Sequence, residues 1–205
     1  SDKDCQTTWD YTSARIVTST NKIVTPGNEI TVCFKVPDGT GHWPAVWMLP
    51  QGFIEGTKTW PQDGEIDLME ARGRIPQAIG SAIHFANSNN SHQYISHEIS
   101  VPMNVNFQDK FHSITFKWTE NNIDIYLDTN KEPFFSEGKD SAPFNNANYP
   151  FNNKFYLILN VASGGNFDSN QLDPTKYCND KECSNLVDPD KGRLVIDYIE
   201  VKSID

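Results

Sequence analysis

Apolar and polar positions alternate with a period of two through most of this chain, the pattern of strands with one buried face. Residues 29–36, EITVCFKV, set Ile30, Val32, Phe34 and Val36 together. Residues 11–18, YTSARIVT, alternate too. In 43–49, WPAVWML, Trp43, Ala45, Trp47 and Leu49 share a face. Pro44 marks that strand as an edge, a bulge or a strand start. Further strands are expected at 65–71, 80–87, 96–103, 111–120, 123–129, 155–165 and 193–204. The segment 155–165 is apolar on both faces up to Gly164-Gly165. In 193–204, Leu194, Ile196, Tyr198 and Glu200 oppose Val195, Asp197, Ile199 and Val201. Turn signals at Pro26-Gly27-Asn28, Pro37-Asp38-Gly39 and Asn121-Asn122, and loops at 50–64 and 138–150, separate these runs. No 3.6-residue period persists beyond about three turns. Many short strands and no long helix indicate an all-β jelly roll, a sandwich of two antiparallel sheets. No repeat or linker divides the chain, so residues 1–205 are expected to form one domain.

The run at 63–73, DGEIDLMEARG, departs from alternation in an informative way. Glu65 and Asp67 share a face, but Glu70 lies five positions from Glu65 and has the opposite parity. One extra residue restores it, which is what a β-bulge supplies. A bulge is therefore expected at Leu68–Met69. It aligns three carboxylates on one face, with Ile66 and Leu68 beneath the sheet. Like charges this close oppose one another's ionisation, and folding gains nothing from the crowding. The alternative, an exposed acidic edge strand, fits poorly with the apolar residues between the acids.

Composition narrows the partners. Net charge is −10, from 17 basic and 27 acidic residues, which argues against nucleic acid and anionic membranes and suits a neutral ligand. No stretch approaches the roughly 18 apolar residues of a spanning helix. No leader is legible at the start, so a secreted protein is expected here in processed form. Cys178 and Cys183 flank the polar loop NDKE and suit a local bridge, leaving Cys5 and Cys33 to pair. Disulfides imply an oxidising compartment, and the sequon Asn89-Asn90-Ser91 agrees with it.

The chain resembles glycoside hydrolase family 16, in its laminarinase-like branch of endo-1,3-β-glucanases. The resemblance rests on WPAVWMLP (43–50), WPQDGEIDLMEARG (60–73), the strand with His84, FHSITFKW (111–118), LNVASGG (159–165) and VIDYIEV (195–201). The extra residue before the last Glu marks the bulged branch, which includes agarases and carrageenases; the lichenase branch lacks it. Family members usually carry some tens of residues before the YTSARI strand, against about ten here, so reduced donor-side contacts are expected.

The resemblance implies a concave cleft and a retaining mechanism, in which a nucleophilic and an acid/base carboxylate work in turn. It makes Glu65 the nucleophile and Glu70 the acid/base. Asp67 lies between them, and its charge would raise the pKa of a neighbouring acid. His84 is placed to hydrogen-bond Asp67 or Glu70, or to stand as a plain cleft-wall histidine. Trp43 and Trp47 on one face suit stacking on sugars, with a core pair as the alternative, and Trp60 is a similar candidate. Arg15 matches a donor-side Arg of the family; otherwise it makes a surface salt bridge. Asn160 interrupts an apolar run and needs hydrogen-bond partners if buried, in a structural or a ligand role. Asp197 matches a position that often helps hold a structural calcium on the convex face, and no other cofactor is expected.

The expected activity is therefore secreted, monomeric, retaining endo-hydrolysis of β-1,3-glucan. Its competitors are non-hydrolytic glucan recognition and hydrolysis of another polysaccharide, such as agar, carrageenan or mixed-linkage glucan.

Overall fold

Antiparallel pairing carries the chain through two packed sheets in the computed structural model, which describes residues 11–18, 23–142, 144, 149–177 and 192–204. The strands are β1 (Arg15–Val17), β2 (Ile23–Val24), β3 (Asn28–Lys35), β4 (His42–Pro50), β5 (Glu65–Ala71), β6 (Ala78–Ala86), β7 (His92–Ser100), β8 (His112–Trp118), β9 (Asn122–Leu127), β10 (Phe135–Gly138), β11 (Phe155–Ser163) and β12 (Val195–Ser203). One sheet runs β1-β11-β4-β5-β6-β7, with β2 also on β11; the other runs β10-β9-β8-β3-β12. Among the described residues helix is confined to short turns: α1 (Gln51–Ile54) and two 3-10 turns, Asn166–Asp168 and Pro174–Lys176.

The core lies between the sheets and follows the expected alternation. Ile30, Val32 and Phe34 of β3 meet Val46 and Met48 of β4 in one cluster with Ile114, Phe116, Trp118, Ile83, Phe85, Phe155 and Leu157. The other face of the larger sheet carries a small second cluster, Leu49, Tyr156 and Ile158, with Trp47 packed against it. That outer face is the one on which β5 carries its acidic side chains.

Four strand expectations change. The strand expected at 11–18 narrows to Arg15–Val17, paired with Ile158–Asn160, and an unforeseen short strand, Ile23–Val24, pairs with Phe155–Tyr156. β7 begins at His92, four residues earlier than expected, because its pairing with β6 runs from Ala86↔His92 to Ala78↔Ser100. β10, unforeseen, closes the smaller sheet against β9. In β12 the register slips between Ile196 and Tyr198. Asp197 is thus a second bulged residue, and Ile199 opposes Val32 where strict alternation would have turned it outward. The expected bridges Cys178–Cys183 and Cys5–Cys33 involve residues outside the described ones; Cys33 on β3 carries a free thiol.

The bulge in β5 is where it was expected. Trp47 opposes Asp67 and Val46 opposes Met69, so Leu68 has no partner on β4. On the other side Asp67 opposes Ala82 and Glu70 opposes Gly80. Leu68 and Met69 both turn into the core and are fully buried. A bulge leaves ladder groups unpaired, and an unpaired buried carbonyl is costly. Ser81, itself buried, solves this by donating from Oγ to the Leu68 carbonyl at 2.7 Å. Ser81→Ala should lower stability by about 1–2 kcal/mol, because it strands that carbonyl. The measurement is the urea midpoint; an unmoved midpoint would mean that Leu68 O has another partner.

Candidate active site

Glu65, Asp67 and Glu70 rise on one face of β5 because of the bulge. Several residues directly beside them are small: Ala45 and Gly80 flank Glu70, and Ala82 flanks Asp67 on β6. Short side chains there keep the face open above the carboxylates. His84, opposite Glu65 on β6, brings Nε2 to 3.1 Å from Asp67 Oδ2 and 3.9 Å from Glu65 Oε1. The first distance is within ion-pair reach but lacks hydrogen-bond alignment, so that buried oxygen has no hydrogen-bond donor. Of the two partners open to His84, the structure pairs it with Asp67. Its Nδ1 meets His92 Nε2 at 2.8 Å.

Burial and mutual repulsion dominate the electrostatics. Burial first, and then the charge of Asp67, push the Glu65 carboxyl up to about 8. His84 and the Trp60 side chain, which hydrogen-bonds Glu65, oppose that rise. Asp67 is 3% exposed. Burial and the Glu70 charge hold its carboxyl well above the usual range, against a hydrogen bond with Glu65. Glu70 is raised by burial and eased by Trp43, His84 and Arg72. Near neutral pH the cluster therefore retains protons that free carboxyls would release. That favours one of the two forms the chemistry needs, a protonated acid, on this strand.

Aromatic side chains wall the face. Trp43 Nε1 donates to Glu70 Oε1 at 2.8 Å. Trp47 Nε1 donates to Asn160 Oδ1 at 2.7 Å. The Arg15 guanidinium lies 5.0 Å over the Trp47 ring, and among the described residues this aromatic contact, not a salt bridge, is what ties it to the site. Asn160, opposite both Arg15 and Ala45, thereby has the polar partner its apolar surroundings demand. Trp43 and Trp47 are half-buried and outside the inter-sheet cluster, which removes the core-pair alternative. Trp60 is 42% exposed and its ring lies 4.6 Å from His92, which in turn neighbours Tyr94.

Sequence reasoning missed His92, Tyr94, Arg72 and Phe167. Phe167 stacks on Trp43 at 4.9 Å from a 3-10 turn, where no period could reveal it. A signal did exist in Gly164-Gly165. Gly165 has φ +98°, and a Cβ there would sit 2.9 Å from the Trp43 ring, so only glycine lets the chain pass. Asp197 stands exposed in the bulge of β12, in the other sheet. Calcium takes six to eight oxygens. Among the described residues Asp197 joins no group of three His, Cys, Asp or Glu side chains.

Comparison with known proteins places these features in context. The family model described as glycosyl hydrolases family 16 matches residues 2–178. The chain is 38% identical over 165 residues to glucan endo-1,3-beta-glucosidase A1 of Niallia circulans, covering 77% of this chain and 23% of that protein. It is 31% identical over 195 residues to a beta-glucanase of Rhodothermus marinus, covering 94% of this chain and 62% of that protein. The chain therefore spans less than two thirds of either curated relative. The catalytic domain of an endo-1,3-beta-glucanase (laminarinase) from Thermotoga petrophila superposes with a TM-score of 0.73 at 28% identity, covering 96% of this chain and 71% of that one.

The raised Glu65 carboxyl makes stability depend on pH in a defined direction. Below the unfolded-state value both states hold the proton, and Glu65 behaves like Gln. As pH rises through about 8 the folded state must ionise a buried acid, and the stability gained by holding the proton is lost. Glu65→Gln should therefore match wild type near about pH 4 and exceed it by on the order of 2 kcal/mol near about pH 9. Chemical denaturation across that range checks it. An advantage that does not vary with pH would exclude Glu65 as the titrating group.

Proposed function

This chain belongs to the glycosyl hydrolases family 16, and from that premise we propose that it is a retaining endo-hydrolase of β-1,3-glucan. The observation that carries the proposal is the bulged strand. It brings Glu65, Asp67 and Glu70 onto one open face, with Trp43 hydrogen-bonded to Glu70. The names of the relatives, endo-1,3-beta-glucosidase and laminarinase, support the substrate class. Retaining the catalytic acids favours hydrolysis over recognition alone.

In the first step the ionised form of Glu65 attacks the anomeric carbon while the bond to the leaving oxygen breaks. Glu70 gives its proton to that oxygen, and a covalent glycosyl–Glu65 ester remains. In the second step Glu70, now a carboxylate, takes a proton from water as that water attacks the same carbon. The bond to Glu65 breaks, and the β configuration is restored. Asp67, kept protonated by its burial, gives Glu65 a hydrogen bond in the first step. His84 balances Asp67 from the other side. Trp47 and Trp60 offer indole faces to neighbouring sugars. Arg15 and Asn160 fix Trp47.

We also propose an extracellular location and action as a monomer. The exposed Asn89 at the β6–β7 turn, as part of a sequon, supports the location.

The roles of the two glutamates are separable by anomeric chemistry. Glu70→Ala should lose hydrolysis of laminarin yet still form the ester from a substrate with a good leaving group, and azide should then release a β product. Glu65→Ala should admit azide from the opposite face and give an α product. Exchanged configurations would reverse the assignment. The substrate is tested by reducing-end release from laminarin, lichenan, agar and carrageenan. Binding to laminarin with no release from any of them would leave recognition as the function.

A further inference from the structure

Glu70 is held from outside its own strand. Trp43 donates its only side-chain hydrogen bond to Oε1,, so where the indole sits decides where that oxygen points. One face of the indole is covered by Phe167, nearly parallel at 19°. The Arg72 guanidinium lies 4.2 Å over the Phe167 ring, and Arg72 Nε donates to the Phe167 carbonyl at 3.2 Å. Phe167 belongs to the 3-10 turn Asn166–Asp168, beyond the end of β11.

Asp168 fastens that turn. It is 3% exposed in a segment otherwise open to solvent. Arg74 Nε donates to both of its oxygens, at 2.8 and 3.0 Å, and Arg74 Nη2 stands 2.6 Å from Oδ1. A buried carboxylate costs desolvation that geometry of this quality must offset. A three-residue turn needs no such pair to form. The consequence of the pair is that Phe167 cannot lift away from Trp43.

We propose that Asp168 is a positioning residue for Glu70, acting through Phe167 and Trp43. In this arrangement Asp168 and Arg74 hold the turn, the turn holds the ring, the ring holds the indole, and the indole N–H holds the carboxylate oxygen. An N–H donated to a carboxylate favours its ionised form. Loosening any link should therefore make Glu70 harder to ionise and less well aimed. The charged groups facing Glu70 are Glu65 and Asp67 on β5, His84 on β6 and Arg72 just after β5. The proposal rests on Glu70 being the acid/base.

The test reads Glu70 itself. Its carboxyl carbon is titrated by NMR, with the resonance assigned through Glu70→Gln, and no substrate is needed. Phe167→Ala should raise the midpoint by about one unit, Phe167→Tyr should keep the wild-type midpoint, and Asp168→Asn should move it as Phe167→Ala does. In a Trp43→Phe background neither Phe167→Ala nor Asp168→Asn should move it further, since the link is already cut. A direct charge effect of Asp168 would persist in that background. On laminarin the two disruptive variants should lower kcat about tenfold with little change in KM.

An unmoved midpoint in folded Phe167→Ala overturns the proposal, and so does an Asp168→Asn shift that survives in the Trp43→Phe background. If Asp168→Asn does not fold, Phe167→Ala decides. A shifted midpoint in a protein that hydrolyses no glycan would keep the positioning and remove the hydrolytic reading.

Discussion

Three carboxylates on one face of one buried strand repel one another, and the remainder of the fold makes that arrangement tolerable. The strand cannot relax by turning one acid inward, because Ile66, Leu68 and Met69 already fill the space between the sheets. Nor can it shed its extra residue, since Ser81 has taken the carbonyl that the bulge sets free. Packing on one side thus fixes the side-chain directions on the other. The core acts as the anvil against which the acids are held.

What the acids cannot obtain from the core they obtain from neighbours. Trp60 steadies Glu65, His84 faces Asp67, and Trp43 steadies Glu70. Each partner comes from a different segment: a loop, β6 and β4. The deepest acid, Asp67, has the least support, with one oxygen lacking any hydrogen-bond donor. Burial biases it toward keeping its proton. The open floor of Ala45, Gly80 and Ala82 leaves this cluster accessible in spite of its burial.

The features legible in the sequence were those with a strong two-residue period or a break in it. The β5 bulge showed because charged residues landed on the wrong parity among fully buried neighbours. The corresponding bulge at Asp197 did not show, because β12 is an exposed edge whose two faces carry similar mixtures of residues. β7 slipped by four residues for a related reason: only Ile95 and Ile99 among its nine residues reach the core, too few to fix its start. Alternation put Trp43 and Trp47 on one face but could not say whether that face met the core or the solvent; their hydrogen bonds to Glu70 and Asn160 decided it. Phe167 and Asp168 left no periodic trace, because their contacts span about a hundred residues and lie in a turn; only Gly164-Gly165 hinted at a close approach there.

All three acids belong to a single continuous backbone segment. The spacing of the acids is therefore a property of six consecutive residues, set by bond lengths and one bulge. It does not depend on how well two loops or two sheets keep their distance. The surrounding aromatics, by contrast, arrive from separate loops and strands, each with its own local stability. Warming, loop exchange or sequence drift would accordingly blur the aromatic walls well before it disturbs the spacing of the acids. The fold separates a chemically invariant strand from a periphery that is free to change its taste.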